Sequence, residues 1–194
     1  TDSPSTVTIA KNTKFNSTIN GVSFTYVTDK SYSIDALGDN ATLTLTGATL
    51  QEGEPLTFRY VANTSDDTVK YRIPNRGVDT SSITVTLQES DVNTIQHTYT
   101  LATDLITVNS TSNVYFVEPD ADDTYQIKFG DDVFGRKEST GNIVILGYNL
   151  TSGSLGNGAR TFTPVSSVGG YSGVTVTTIS ASSGGGDEET NDSI

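Results

Sequence analysis

The sequence predicts an all-β or predominantly β fold, in which antiparallel strands form a sandwich-like or partly barrel-like structure with long loops. Several short segments alternate apolar and polar residues, and this alternation places every second side chain on the same face of a strand. Only 34% of the 194 residues are hydrophobic, while Ser and Thr recur throughout, a composition that suits half-exposed strands better than helical layers. Clusters of Gly, Asn, Asp and Ser, which favour turns, separate the segments.

The predicted strands fall into three groups. Four segments have one apolar and one polar face: residues 42–46, 56–60, 83–88 and 125–129. Residues 143–146 read Ile-Val-Ile-Leu, and because they are apolar at every position they predict a central strand that is buried on both faces. Shorter strands are predicted at residues 7–9, 24–27, 114–117 and 174–179. No segment before residue 180 shows a convincing helical stripe.

Charge and composition exclude several functional classes. A net charge of -12 with only 11 Lys and Arg residues disfavours a nucleic-acid-binding surface, since neutralising phosphates requires clustered cations. No apolar run reaches the roughly 18 residues needed to span a bilayer, and no signal sequence opens the chain. The chain has no Cys and one His, which excludes disulfides and a usual zinc site. We therefore expect no cofactor, no nucleic-acid partner and no membrane insertion.

The most distinctive segment is residues 129–137, Phe-Gly-Asp-Asp-Val-Phe-Gly-Arg-Lys. Gly130 and Gly135 have the separation found in phosphate-binding loops, but that motif requires Lys directly after the second Gly and Ser or Thr after the Lys. Arg136 follows Gly135 here, so a nucleotide site is not predicted. Gly and Asp readily adopt turn conformations. The segment therefore predicts an ordered loop between two strands, with Phe134 packed back onto the sheet.

Acidic residues around this segment leave a calcium site open as an alternative. Asp120, Asp122, Asp123, Asp131 and Asp132 could supply the oxygen ligands that calcium prefers. Their spacing does not match the EF-hand calcium loop, whose sixth position is Gly and whose twelfth is Glu. Carboxylates of this kind more often lie in solvated loops, so no metal ligand is predicted.

No catalytic residue is predicted. His97 lies in a strand-like context, Gln-His-Thr-Tyr-Thr, without a neighbouring nucleophile signature, and we expect it to be a surface or edge residue. A glycosidase needs only two carboxylates that meet in space, so that alternative stays open, although no pair stands out in the sequence. We therefore predict that the chain is not an enzyme.

The predicted domain organisation is one β-rich region over residues 1–183, with a weak subdivision near residue 110, at residues 110–113. Residues 184–186 are three glycines that we expect to be flexible, and the acidic residues 187–189 after them suit the positive end of a helix. We interpret residues 184–194 as a Gly-rich acidic linker, with the beginning of a helix at the C-terminal end, that leads into a further domain.

Taken together, several segments resemble the baseplate J-like family, in particular the baseplate wedge proteins of T-even-type contractile-tailed bacteriophages. Residues 125–137 are similar to the family's Phe-Gly-Asp-x-x-x-Gly turn, residues 141–148 to the Gly and apolar strand after it, and residues 156–158 to its Gly-Asn connection. The likeness extends to residues 7–15, 21–24, 71–80 and 184–194. Asp132 stands where the family often has Gly. The resemblance implies structural roles for Phe129, Gly130, Asp131, Gly135, Gly141, Asn142, Gly156 and Asn157.

The resemblance implies a noncatalytic structural subunit that joins wedges around the central hub of the tail baseplate and supports sheath assembly and baseplate rearrangement. Its implied partners are other wedge subunits and copies of the chain itself, in a ring-shaped assembly in the virion tail that forms in the host cytoplasm. Such a subunit needs surfaces that bind in two alternative arrangements. A host-surface glycan-binding adhesin or receptor-binding module is the alternative, since it too would be β-rich, acidic and free of Cys.

Overall fold

The computed structural model describes residues 6–35, 42–66, 70–121 and 124–186. The protein is predominantly β, with 45% strand and 5% helix, which confirms the predicted fold class. Asp122, Asp123 and residues 187–194, on which parts of the calcium and linker predictions depend, lie outside the described residues. Short 3-10 turns lie at Leu105–Thr107 and Gly153–Gly156. The strands in the described ranges are β1 (Thr6–Ile9), β2 (Lys14–Ile19), β3 (Val22–Thr28), β4 (Tyr32–Asp35), β5 (Leu50–Glu52), β6 (Glu54–Val61), β7 (Tyr71–Ile73), β8 (Val78–Gln88), β9 (Gln96–Leu101), β10 (Val114–Asp120), β11 (Thr124–Phe129), β12 (Ile143–Leu150) and β13 (Thr163–Pro164).

The chain divides into two compact units. Unit 1 comprises Thr1–Pro55 and Thr151–Ile194, and unit 2 comprises Leu56–Leu150. The weak subdivision predicted at residues 110–113 therefore falls inside unit 2, in the connection before β10. Pairing between strands that are distant in sequence, such as β8 and β12, holds unit 2 together, and local composition does not record such pairing.

Unit 2 is a nearly closed, barrel-like sheet of seven strands. The strand order is β6-β12-β8-β9-β10-β11-β7; β9 and β10 run parallel, while β12 and β8, β8 and β9, β10 and β11, and β11 and β7 run antiparallel. The hydroxyl of Tyr60 in β6 donates a hydrogen bond to the carbonyl of Arg72 in β7 at 2.6 Å, which links the two end strands. Residues 143–146, predicted as a central strand, form the first half of β12, which has β6 on one side and β8 on the other.

The core of unit 2 follows from the alternation in its strands. Ile83, Val85 and Leu87 of β8 are buried, while Thr84 between them is exposed, as the period of two predicts. Val144 and Leu146 of β12 are fully buried. Burying large apolar side chains of this kind contributes about 1.5–3 kcal/mol each, so the two strands supply much of the hydrophobic stabilisation of unit 2.

Unit 1 contains a four-stranded sheet in the order β13-β2-β3-β5 and a ribbon formed by β1 and β4. Strands β2 and β3 form a hairpin in which Ile19 lies opposite Val22. Asn20 and Gly21 make its two-residue turn, with φ values of 49° and 84°, as the Asn-Gly dipeptide favours. The core of unit 1 is built from Phe15, Phe24, Tyr26, Ala159 and Val168.

Two predicted strands are wrong. Residues 42–46 form no strand, although Leu43 and Leu45 are half-buried and the Thr residues around them are exposed. Residues 174–179 also form no strand, and Ile179 is 80% exposed. Alternation records which side chains face away from water, whereas a strand also requires a neighbouring backbone that satisfies its hydrogen bonds.

Candidate functional site

Residues 130–142, which we call the motif loop, connect β11 to β12 in unit 2. As the sequence predicts, β11 ends at Phe129 and β12 begins at Ile143. These two strands are not neighbours, because β11 pairs with β10 and β7 while β12 lies between β6 and β8. The motif loop is therefore a crossover between separate parts of the sheet and not a hairpin turn.

Two consecutive carboxylates hold the first half of the motif loop. Oδ1 of Asp131 accepts hydrogen bonds from the backbone N–H groups of Val133 at 3.0 Å and Phe134 at 2.8 Å. The bond from Phe134, and to a smaller extent that from Val133, lowers the pKa of Asp131, because each stabilises the ionised carboxylate. Asp132 has a φ of 66°, and its Oδ1 accepts a bond from the N–H of Lys137 at 3.0 Å. A carboxylate at each position therefore fixes the local backbone.

The glycines of the motif loop are required by close packing. A Cβ on Gly130 would lie 2.1 Å from the carbonyl oxygen of Gly135, and a Cβ on Gly135 would lie 2.6 Å from Cγ2 of Val114. The loop also docks on the preceding connection, where the N–H of Gly135 donates to the carbonyl of Asn109 at 3.1 Å and the N–H of Arg136 to that of Ser112 at 2.8 Å. Backbone bonds thus join two successive loops of unit 2.

Gly141 and Asn142 anchor the other end of the motif loop. The N–H of Gly141 donates to the carbonyl of Ala62 at 2.9 Å, and the N–H of Ala62 donates to the carbonyl of Asn142 at 2.8 Å. The side chain of Asn142 accepts a bond from the N–H of Ser139 at 2.7 Å and donates to the carbonyl of Glu89 at 2.8 Å. The carboxamide therefore uses both its acceptor and its donor to hold backbone groups in place.

The two phenylalanines of the motif have opposite environments. Phe129 packs edge-to-face against Tyr71 and Tyr99, with ring centroids 5.5 Å and 5.2 Å away. The pKa of Tyr71 is raised well above its usual range, mainly by burial and further by the nearby carboxylate of Glu138. Phe134 is 55% exposed, so the prediction that it packs back onto the sheet is wrong. The turn capped by Asp131 leaves Phe134 at the surface, whereas Phe129 is partly buried and packs against the core of unit 2.

Four large apolar side chains are exposed on the two hydrogen-bonded loops, and we call this set the apolar loop surface. Val133 and Phe134 belong to the motif loop, while Leu105 and Ile106 belong to the connection between β9 and β10; Ile106 is 93% exposed. Asp104 caps the turn that carries the second pair, because its Oδ1 accepts a bond from the N–H of Ile106 at 2.9 Å. Exposed apolar side chains mark an interaction site when they form a contiguous patch, and hydrogen bonds hold the two loops that carry these four side chains together.

A shallow polar cleft of about 250 Å³ lies beside the motif loop. The carboxylate of Glu89 is already engaged, since it lies 3.1 Å from Nε2 of His97 and accepts a bond from Asn93 at 2.5 Å. His97 is half-buried at the surface of β9, a strand between β8 and β10, so it is a surface residue but not on an edge strand. The cleft combines cations and anions without a pairing of nucleophile and base. Its polar lining consists of Glu89, His97, Arg136, Lys137, Ser139 and Asn142.

Sequence reasoning did not find this cleft. Glu89 and His97 lie eight residues apart, and they meet because the β8–β9 hairpin places Leu87 opposite His97. The alternation in residues 83–88 was visible in the sequence, but the register of β9 was not. A prediction of which β9 residue lies opposite each β8 residue would have placed Glu89 close to His97.

The acidic residues considered as calcium ligands do not converge in the described parts of the chain. Asp120 pairs with Arg72 at 2.5 Å and with Lys70 at 3.5 Å, while Asp131 and Asp132 bond to the backbone of the motif loop. Within residues 6–35, 42–66, 70–121 and 124–186, no three acidic or His side chains form a group that could hold a metal ion. The calcium alternative therefore has no supporting geometry in these ranges.

The last two motif residues, Gly156 and Asn157, lie in unit 1 and form a second ordered corner. The carbonyl of Gly156 accepts hydrogen bonds from the hydroxyls of Tyr26 at 2.5 Å and Ser182 at 2.7 Å. Asn157 donates to the carbonyl of Gly185 at 2.8 Å and accepts from its N–H at 2.9 Å. We call residues 153–158 with residues 182–186 the Gly-Asn corner.

Gly185 is not part of a free hinge. A Cβ on this residue would lie 2.3 Å from the carbonyl oxygen of Gly153, so the chain passes Gly153 too closely for any side chain. This differs from the flexible segment expected at residues 184–186. The sequence showed three glycines but not the residues that bind them, because Asn157 lies 28 positions before Gly185.

Comparisons with known proteins neither support nor contradict the resemblance to the baseplate J-like family. No protein-family model matches the chain, and no curated protein matches it significantly. Among the described residues, no helix has the length and apolar character needed to cross a membrane. The motif residues form two groups, with Phe129, Gly130, Asp131, Gly135, Gly141 and Asn142 in unit 2 and Gly156 and Asn157 in unit 1.

Proposed function

We propose that the chain is a noncatalytic structural subunit of a contractile-phage tail baseplate wedge, of the baseplate J-like type. The observation that carries the proposal is the motif loop, in which the side chains of Asp131, Asp132 and Asn142 hold backbone groups while Val133 and Phe134 face outward. A loop that used these three side chains for binding or catalysis would direct them towards a substrate. Asp131, Asp132 and Asn142 instead bond to backbone groups of the same unit. The loop is suited to hold a shape and present a surface.

The conformation of Asp132 supports the likeness to the family turn. Its φ of 66° lies in the left-handed region, which Gly adopts freely and which Asp tolerates better than most residues. Asp132 stands where the family often has Gly, so the departure in sequence is compatible with the backbone that a Gly would adopt. The roles of Gly130 and Gly135 in close packing are likewise structural.

The apolar loop surface is the docking site in this proposal, and its occupant is another wedge subunit of the baseplate. A few residues near the centre of an interface carry most of the binding energy, and aromatic residues are enriched there. Phe134 is the aromatic residue of the apolar loop surface, and Ile106 is its most exposed side chain. Two copies of the chain would each bring a net charge of -12, which repels at close range. A different subunit is therefore favoured at this surface.

Immunogold electron microscopy of intact contractile-tailed particles from the source system tests the location. With an antibody raised against this chain, we expect label confined to the baseplate at the end of the tail. Label at fibre tips or on the host-cell surface would contradict the proposal and favour the adhesin.

A pair of matched double variants tests the docking surface. Ile106→Ser with Phe134→Ser removes two of the four side chains of the apolar loop surface, whereas Val92→Ser with Ile95→Ser changes two exposed side chains on the β8–β9 connection, which are 92% and 56% exposed. We expect the first pair to weaken binding to wedge subunits purified from dissociated baseplates by roughly tenfold or more, since central interface residues each contribute more than about 1.4 kcal/mol. The control should bind normally, and both proteins should unfold at the temperature of the wild type. Normal binding by the first pair would reject this surface.

A further inference from the structure

The chain contains the dipeptide Asn-Gly twice, at Asn20-Gly21 and at Asn157-Gly158. This dipeptide can undergo an intramolecular reaction, because a Gly places no Cβ in the way of its own backbone nitrogen. The Gly nitrogen loses its proton and attacks Cγ of the Asn side chain, and the new N–C bond closes a succinimide ring. The Cγ–Nδ2 bond then breaks, and Nδ2 takes up a proton and leaves as ammonia. Water then opens the ring at either carbonyl and leaves Asp or isoaspartate.

The Asn20 site is accessible to this reaction. Asn20 and Gly21 are both exposed, and they form only the two-residue end of the β2–β3 hairpin. Within the described part of the chain the Asn20 carboxamide makes no hydrogen bond. The end of a hairpin opens locally at low cost, so the side chain and the Gly21 nitrogen can reach the geometry of ring closure without unfolding unit 1.

The Asn157 site carries the same dipeptide but is held by three hydrogen bonds. The Asn157 carboxamide donates to the carbonyl of Gly185 at 2.8 Å and accepts from its N–H at 2.9 Å. The attacking group is also occupied, because the N–H of Gly158 donates to the carbonyl of Ser182 at 2.8 Å. All three bonds must break before the ring can close, and each raises the barrier.

We propose that Asn20 is a site of spontaneous deamidation in the folded protein, and that the Gly-Asn corner protects Asn157. The isoaspartate product at residue 20 has one additional methylene in the main chain. A two-residue turn with that insertion no longer places Ile19 opposite Val22, because hairpin register depends on turn length. The reaction therefore alters the end of one hairpin in unit 1 and adds a negative charge.

Peptide mass spectrometry of the intact protein, incubated in mildly alkaline buffer and digested under acidic conditions, tests the proposal. Fragment spectra locate the replacement of an amide by a carboxyl at each Asn, and later or earlier elution separates isoaspartate from Asp. We expect Asn20 to react roughly 100-fold faster than Asn157, because three additional hydrogen bonds must break at Asn157. The variant Asn20→Gln should lose the signal at residue 20.

The same protein in concentrated urea provides the matched control. Unfolding removes the hydrogen bonds at Asn157, so the two sites should then react at rates within a few-fold of each other. Two results would overturn the proposal. One is an Asn20 that stays intact in the folded protein over a period in which it reacts fully in urea, and the other is a folded protein in which Asn157 reacts as fast as Asn20.

Discussion

The motif loop of unit 2 and the Gly-Asn corner of unit 1 are both rich in glycine, yet they are held by different groups. In the motif loop the carboxylates of Asp131 and Asp132 bond to backbone N–H groups a few residues further along the chain. In the Gly-Asn corner the carboxamide of Asn157 binds a backbone 28 residues away, at Gly185. The carboxylate bonds of the motif loop are therefore local, whereas the carboxamide bonds of the Gly-Asn corner are long-range.

The comparison shows why glycine alone does not indicate flexibility. Gly130 and Gly185 each pass so close to another backbone carbonyl that a Cβ would lie within 2.1 Å and 2.3 Å of its oxygen, respectively. By contrast, a Cβ on Gly141 or Gly186 would meet no heavy atom within 4 Å. Each region therefore contains at least one glycine that packing requires and at least one that packing does not require, and substitutions can separate the two kinds.

The largest effect is expected from the two phenylalanines of the motif. Phe129→Ala removes a ring that contacts Tyr71 and Tyr99 and should lower the free energy of unfolding by about 3 kcal/mol, as for other Phe to Ala changes in cores. Phe134→Ala, at a side chain that is 55% exposed, should change it by less than about 0.5 kcal/mol. Urea unfolding followed by tyrosine fluorescence measures both. Equal losses would show that Phe134 also packs in the core.

In the motif loop, Gly130→Ala should be nearly as destabilising. The added Cβ would meet the carbonyl oxygen of Gly135 at 2.1 Å, so the backbone must move, which costs about 3 kcal/mol. Gly141→Ala is the matched control. Its added Cβ meets no neighbouring atom, and only the φ of 92° is unfavourable for Ala, which should lower the free energy of unfolding by about 1 kcal/mol. The unfolding midpoints in urea should rank wild type, Gly141→Ala and Gly130→Ala in that order. The reverse order of the two variants would refute the close approach.

In the Gly-Asn corner, Gly185→Ala should cost about 2 kcal/mol, because the Cβ would meet the carbonyl oxygen of Gly153 and weaken both bonds to Asn157. Gly186→Ala places its Cβ in open space and should stay within about 0.5 kcal/mol of the wild type. Thermal unfolding provides the comparison. If residues 184–186 were a free hinge, the two variants would behave alike.

The smallest effect is the pH dependence that Asp131 contributes. Its folded pKa lies below the ordinary value of about 4, so the carboxylate stabilises the fold above that value and loses this contribution as the pH falls through the folded pKa. The unfolding midpoint of Asp131→Asn should lie below that of the wild type near neutral pH, and the difference should shrink below about pH 4. Asp91→Asn, at an exposed carboxylate, corrects for the loss of one charge. A difference that grows on acidification would contradict the assigned role.

The sequence predicted those parts of the fold that depend on local pattern. The alternation at residues 83–88 and the apolar run at 143–146 identified β8 and β12, and Phe129 and Ile143 bound the motif loop as expected. It could not predict features that depend on a remote partner. Leu43 and Leu45 alternate with Thr as strand residues do but form no strand, and the pairing of Asn157 with Gly185 has no local signature.

The candidate site was predictable to the same extent. Spacing and residue type identified the segment of the motif loop, and Asp and Gly predicted an ordered turn. The direction of Phe134 was not predictable, because it depends on the bonds that the N–H groups of Gly135 and Phe134 donate to Asn109 and Asp131. Sequence alone also did not show that Ile106 is exposed on the loop to which the motif loop is bonded.

Hydrogen exchange at individual amides tests most directly the central claim that both glycine-rich segments are fixed parts of the fold. The N–H groups of Gly135 and Arg136 donate to the carbonyls of Asn109 and Ser112, and that of Gly185 donates to Asn157. We predict that these three amides exchange as slowly as paired amides in the strands of their own units, because exchange requires their bonds to open. Exchange at the rate of an unfolded chain would contradict the account.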